Sequence, residues 1–321
     1  MKTWYYKVSS LLICILVMSL VGCSQKDLRD DAPSTIASNV SVVFDWSKAT
    51  GNRASSMGLY MYSDEHGMID FWFNKPEGDK IKTYGGHHTV VCHSNDDPYT
   101  HFLRNQHAHD TIEIYTDEAT ILSAQRILAR GIPRAKGAED EPLRVTPSMI
   151  YGAQDREVTL HASDMPQTVT LYPEELVCHY TVEFLEVENL KNADLQIDAT
   201  ISSLAGGYFP GRMSPSSEAV SHSFTLTADQ QHESLRSEFL TFGLPAGESL
   251  PHSISLYIVL KNNTGNFYTF DVTDQVNNAP DPRNVTIKIY GLKLPEIPEA
   301  PPQNISVEVD NWETFYFDLK V

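Results

Sequence analysis

The sequence predicts an all-β protein of antiparallel sandwich or barrel architecture, and three observations carry that prediction. Nearly every apolar segment is short and alternating, turn-forming residues separate the segments, and they recur about every ten residues. A hydrophobic content of 41% is enough for packed cores. The roughly 299 residues beyond the leader suit two domains better than one.

Lys2 and Lys7 precede a largely apolar run, Leu11 to Val21. As a helix it would reach roughly 16 Å, about half a hydrocarbon core. Residues 1–22 therefore read as an export signal, not a span. Leu20-Val21-Gly22-Cys23 resembles the bacterial lipobox, in which the signal is cut before a diacylated cysteine. Cys23 is then the mature N-terminus and a lipid tether. Two or three acyl chains, at about 0.8 kcal/mol per buried CH2, anchor stably where one would not. Residues 23–38, with Lys26, Asp27, Asp30 and Asp31, read as a flexible acidic tether.

The strands follow in order. Val40–Trp46, Gly58–Tyr62, Met68–Phe73 and Thr111–Tyr115 alternate, and Asp64–Gly67 has hairpin-turn chemistry. Thr116–Ala129 carries a partial helical stripe of Ile121, Leu122, Ile127 and Leu128, and Gly131–Pro142 reads as an exposed loop. Strands resume at Glu157–Leu160 and Thr168–Tyr172. The domain boundary is expected near 162–164, giving an N-terminal domain of 39–163 and a C-terminal domain of 164–321. In the latter, Cys178–Phe184, Ser253–Leu260 and Asn284–Tyr290 alternate, and Asn262–Gly265 is a second hairpin turn. Pro295–Pro302 is a stiff connector to the final strands. In the tail, Phe315, Phe317, Leu319 and Val321 share one face of a strand, so it either closes its own sandwich or is lent to another subunit.

Composition excludes whole classes. Lys+Arg of 24 against Asp+Glu of 42 gives a net charge of −18. Such a surface does not suit nucleic acid, whose affinity comes from Lys and Arg on phosphate. No nucleophile elbow, phosphate loop or dinucleotide fingerprint is present, so neither catalysis nor a cofactor is expected. The stretch from Gly85 to His109 holds His87, His88, His93, His101, His107, His109 and Cys92. On a strand Cys92 and His93 face opposite ways, and no metal-ligand spacing joins the others, so no metal is expected. Exposed aromatics would mark a sugar-binding surface, and Trp72 points opposite to Phe71 and Phe73, but core or rim packing accounts for Trp46, Trp72 and Trp312. The segment Gly206–Arg212 reads as a glycine-rich loop presenting Tyr208 and Phe209.

Several segments carry a resemblance that spans the mature chain. They are GLYMYSDEHGMIDFWF (58–73), ISSLAGGYFPGR (201–212), FLTFGLP (239–245), FYTFDVTDQV (267–276) and the VDNWETFYFDLKV tail (309–321). Together with the lipobox they resemble the DUF5119-type, fimbrillin-like surface lipoproteins of Bacteroidetes. The resemblance implies two tandem transthyretin-like antiparallel β-sandwich domains, no catalysis, and work in surface fimbriae with other fimbrial subunits as partners. It implies assembly by strand addition, with filament subunits trimmed after an arginine. Arg53, in a polar loop just after the first strand, stands where such a cut would fall. An intact first strand points to an anchor or accessory subunit. The alternative is a surface-tethered lipoprotein that binds a glycan or a host protein.

Overall fold

The computed structural model describes residues 35–97, 102–121, 132–247 and 249–297, together with the backbone of 313–316. The first strands are β1 (Ile36–Phe44), β2 (Met57–Ser63), β3 (Gly67–Phe73), β4 (Lys80–Tyr84) and β5 (Gly86–Ser94). Three short ones follow, β6 (Phe102–Arg104), β7 (Glu113–Tyr115) and β8 (Leu143–Val145). Then come β9 (Tyr151–Leu160), β10 (Gln167–Leu171) and β11 (Glu174–Glu175). The second half opens with β12 (Cys178–Leu185), β13 (Gln196–Ala205), β14 (Gly207–Phe209) and β15 (Ser214–Pro215). It continues with β16 (Ala219–Asp229), β17 (Ser234–Thr241), β18 (Ser253–Val259) and β19 (Gly265–Asp271). A short helix, α1 (Thr273–Asn277), precedes β20 (Asn284–Tyr290) and β21 (Glu313–Tyr316).

The expected all-β class holds, and both halves are sandwich-like. In the first, the sheet β10-β1-β4 faces the sheet β11-β9-β5-β2-β3. Alternate residues of each strand point inward and meet: Val40, Val42 and Phe44 from β1, Leu59 and Met61 from β2, Val90 and Cys92 from β5, Val169 and Leu171 from β10. The β2–β3 hairpin closes as the turn residues predict, with Ser63 opposite Gly67 and Gly67 at φ +72°, a left-handed position glycine adopts freely.

The second sandwich is one hydrogen-bonded path, β20-β12-β17-β16-β13-β18-β19-β21. It turns over on itself through β16, whose first part pairs with β13 and whose last three residues pair with β17. Inward residues from both ends of the path, such as Val182, Phe184 and Ile287 against Ile201, Leu256 and Tyr268, share one core.

Local sequence did not indicate how far the halves interleave. β10 pairs in parallel with β1, Val40 opposite Gln167 and Phe44 opposite Leu171, and β11 pairs with β9. The boundary expected near 162–164 falls before both strands, yet they complete the sheets of the first sandwich. The chain from β7 to β9 crosses onto the second sandwich. There β8 runs parallel to β16, with Leu143 opposite Ser221 and Val145 opposite Ser223. In return, β14 and β15 join β7 and β6 in a small four-stranded sheet.

Two expectations change along this crossing. The described start of the expected 116–129 helix is not helical: Glu118 bridges Arg144, and Ile121 packs on Tyr257 and Phe267. Residues 122–131 lie outside the described residues. The described part of the 131–142 loop is pinned, not free. The Tyr257 hydroxyl donates to Pro133 O at 2.7 Å, and Ala135 and Ala138 are buried. The Glu141 carboxylate accepts from Ser203 N, Ser203 Oγ and Ser221 Oγ at 2.7–3.0 Å.

Buried histidines tie the fold to pH. His222 lies with its ring nitrogens 3.1 Å from Val145 O and Ala205 O, at the seam between β8 and β16. His88 reaches Tyr84 O, and His252 lies between Ser202 O and Asn277 Oδ1. Desolvation holds all three below the ordinary histidine value of 6.5, outweighing their hydrogen bonds. Each folded pKa lies under its unfolded one, so this stability is complete above about pH 6.5 and is lost as pH falls toward the folded values. Thermal melting followed from pH 7.5 down to 5 is expected to show a falling melting temperature. Replacing His222 with Gln is expected to flatten that dependence.

Candidate strand-exchange site

The site is built from the first strand and what holds it. β1 is the central strand of its sheet, parallel to β10 on one side and antiparallel to β4 on the other. Its inward side chains Ala37, Val40, Val42 and Phe44 are buried, as is Trp46 in the 3-10 turn that follows. Phe44 meets Phe73 edge-on at 5.4 Å, and Trp46 meets Tyr151 edge-on at 5.3 Å. The Trp46 indole donates to Pro76 O. Asp45 caps the turn by accepting from Ser47 N at 2.9 Å, and that bond holds its carboxyl below the usual range.

The β3–β4 connection clamps β1 through its backbone. Val42 N donates to Asp79 O at 2.9 Å and Phe44 N to Glu77 O at 3.2 Å. Gly78 permits that approach: at φ +92°, a Cβ on it would lie 2.1 Å from Val42 O. Gly78→Ala is expected to cost about 1–3 kcal/mol, read as a lower urea midpoint for the first sandwich.

Arg53 is exposed, in the segment between the 3-10 turn and β2. A cut after it would leave β1 joined to the rest of the fold by its two ladders, the backbone clamp at Glu77 and Asp79, and its buried side chains. At the other end of the chain, β21 adds in parallel to β19, with Asn266 opposite Glu313 and Tyr268 opposite Phe315. Among the described residues β21 is the last strand of that path, so its far edge is unpaired. Phe315 thus stands on an edge strand. Phe317, Leu319, Val321, Trp312 and Cys23 lie outside the described residues.

The other sequence candidates separate. Cys92 and Cys178 are both free thiols. Cys92 lies in the core of the first sandwich, where burial pushes its thiol up to about 12, and burial also raises Cys178. Low thiolate content, and so low reactivity, is the physical consequence for both. His93 faces away from Cys92 and stacks on Tyr60 at 5.6 Å. His87 pairs with exposed Glu157, while His101 lies outside the described residues. Among the described residues no group of three or more His, Cys, Asp or Glu is placed to hold a metal ion.

Gly206–Arg212 is not a presented loop. Its Gly207–Phe209 is β14, paired with β7 and β15, and Tyr208 is buried in an apolar cluster with Ile114 and Phe242. Arg212 stacks on Phe209 at 3.8 Å. Trp72, expected to pack in the core or at the rim, is half exposed, and two features escaped the sequence reading: the Glu141 anchor and an ion cluster. In the cluster Arg104 holds Glu113 through two bonds, at 2.8 and 2.9 Å, and reaches Glu218 at 3.1 Å.

A family profile described as "Domain of unknown function (DUF5119)" matches residues 22–225. The chain belongs to the DUF5119 family. The match runs from just before Cys23 into β16, so this DUF5119 segment includes all of the first sandwich and part of the second. Among solved structures, a candidate adhesin from Bacteroides ovatus superposes with a TM-score of 0.58 at 20% identity. The alignment covers 86% of this chain and 99% of that one, and it shows a shared fold. The fimbrial anchor protein Mfa2 of Porphyromonas gingivalis gives a TM-score of 0.46 at 12% identity, over 78% of this chain and 88% of that one. The tip fimbrial protein Mfa3 of the same organism gives 0.33 at 8%, over 73% and 81%. No curated protein sequence matches this one.

Proposed function

We propose that this DUF5119 protein is a non-catalytic structural component of a surface fimbria. In this reading it is an anchor or accessory subunit held to the outer membrane by lipid on Cys23. The observation that carries the reading is the place of β1. The first strand is the middle of its sheet, plugs an apolar groove with four buried side chains, and is followed, after the 3-10 turn that buries Trp46, by exposed Arg53. A chain that keeps β1 has its groove filled and cannot accept a neighbour's strand there. The tail is arranged the other way. β21 is an edge strand at the end of a proline-rich connector, so it can be lent to another subunit's sheet through main-chain hydrogen bonds. A subunit that donates but does not accept terminates a filament at one end, which is the role of an anchor. The shared fold with the Bacteroides ovatus candidate adhesin supports a cell-surface role of this kind.

Deleting residues 303–321 tests it. The truncated protein is expected to reach the outer membrane while its filaments are shed into the medium. Filaments retained at the wild-type level would reject tail donation.

A further inference from the structure

We propose that the outer face of the first sandwich carries a binding platform for a neutral sugar ring, centred on Trp72. This is separate from the strand-exchange reading. Trp72 lies on β3, the edge strand of its sheet, and is 51% exposed, whereas Trp46 is buried. Its indole is fixed nonetheless. Register places Trp72 opposite Gly58, and Gly58 opposite His93. A Cβ on Gly58 would lie 2.9 Å from one indole carbon and 3.1 Å from the next, so the ring occupies space that only glycine leaves open. Tyr60 and His93, stacked on each other, both meet the indole at 82°, with centroids 6.2 and 6.1 Å away. The indole N–H donates to Asp70 Oδ2 at 2.9 Å.

A ring held on these sides has little rotamer freedom left to lose, so binding to it carries a small ordering cost. It also lies outside the buried apolar clusters on both faces of the sheet. A large, rigid, half-exposed aromatic beside a carboxylate matches the chemistry of a pyranose. The C–H groups of a sugar's apolar face meet the negative face of the π-system, and its hydroxyls donate to the carboxylate of Asp70. The charge selects among sugars. With −18 overall and Asp70 at the platform itself, a sulfated or sialylated glycan is repelled and a neutral one is not.

The test is binding of the detergent-solubilised full chain to immobilised mannan, β-glucan and desialylated mucin, with heparin as the anionic probe. Wild type is expected to bind at least one neutral probe and not heparin. Trp72→Ala is expected to weaken that binding by about tenfold or more at an unchanged melting temperature, with Trp72→Phe in between. Failure to bind any neutral probe, binding to heparin alone, or binding that Trp72→Ala leaves intact would overturn the proposal. Filament retention in the tail deletion reads the fimbrial role separately, so either idea can fail alone.

Discussion

A chain beginning at Ala54 loses the cooperative unfolding of its first sandwich, while the second still melts as a unit. The reason is the burial carried by β1. Ala37, Val40, Val42, Phe44 and Trp46 are each less than a tenth exposed. A fully buried side chain of the larger kind contributes about 1.5–3 kcal/mol, so four of them rival the whole stability of a domain, about 5–15 kcal/mol. Removing the strand also strips β10 and β4 of their shared partner. Calorimetry on the two chains is expected to show two transitions for wild type and loss of one in the truncated form. A peptide spanning 35–50, added in excess, is expected to restore it by mass action. If the truncated chain melts as wild type does, β1 is dispensable and the groove account fails.

The second large effect is at the ion cluster. Glu113 is 5% exposed at its side chain, and its two Arg104 bonds are the contacts that compensate its charge. Those same bonds raise Arg104 above its ordinary value, and Glu218 adds to the effect. Breaking such a pair from one side strands a buried charge, which costs about 3–5 kcal/mol. Arg104→Ala is therefore expected to lower the urea midpoint sharply. Glu113→Gln added to it is expected to recover much of the loss, because the stranded charge is gone. The cluster joins β6 and β7 to Glu218 of the second half, so the destabilisation is expected in both transitions. A double variant no more stable than Arg104→Ala would show that packing, not charge, holds this seam.

Local pattern made the elements legible where their faces differ. The alternation in β1, β12 and β20 marks strands with one face in a core, and Gly67 and Asn263 mark hairpins because they occupy left-handed backbone. The family was legible too, in segments spread along the chain. Pairing between distant segments was not. That β10 completes the first sandwich depends on a parallel partner more than a hundred residues earlier, and such pairing leaves no local trace. The crossing segment read as helix and loop because its strand, β8, is three residues long and its anchor is one glutamate. Trp72 read as packing because its exposure depends on Gly58, a neighbour across the sheet and not along the chain.

The central claim is that this chain keeps its first strand and serves as an anchored end of a fimbria. The most direct measurement is the mass and N-terminal residue of the native protein, taken from outer membranes and from sheared filaments. The account predicts a lipidated N-terminus at Cys23, in membranes that retain filaments. A chain beginning at Ala54 within the filaments would contradict it and make the protein a polymerising subunit. A protein that never travels with filaments would contradict the fimbrial role altogether.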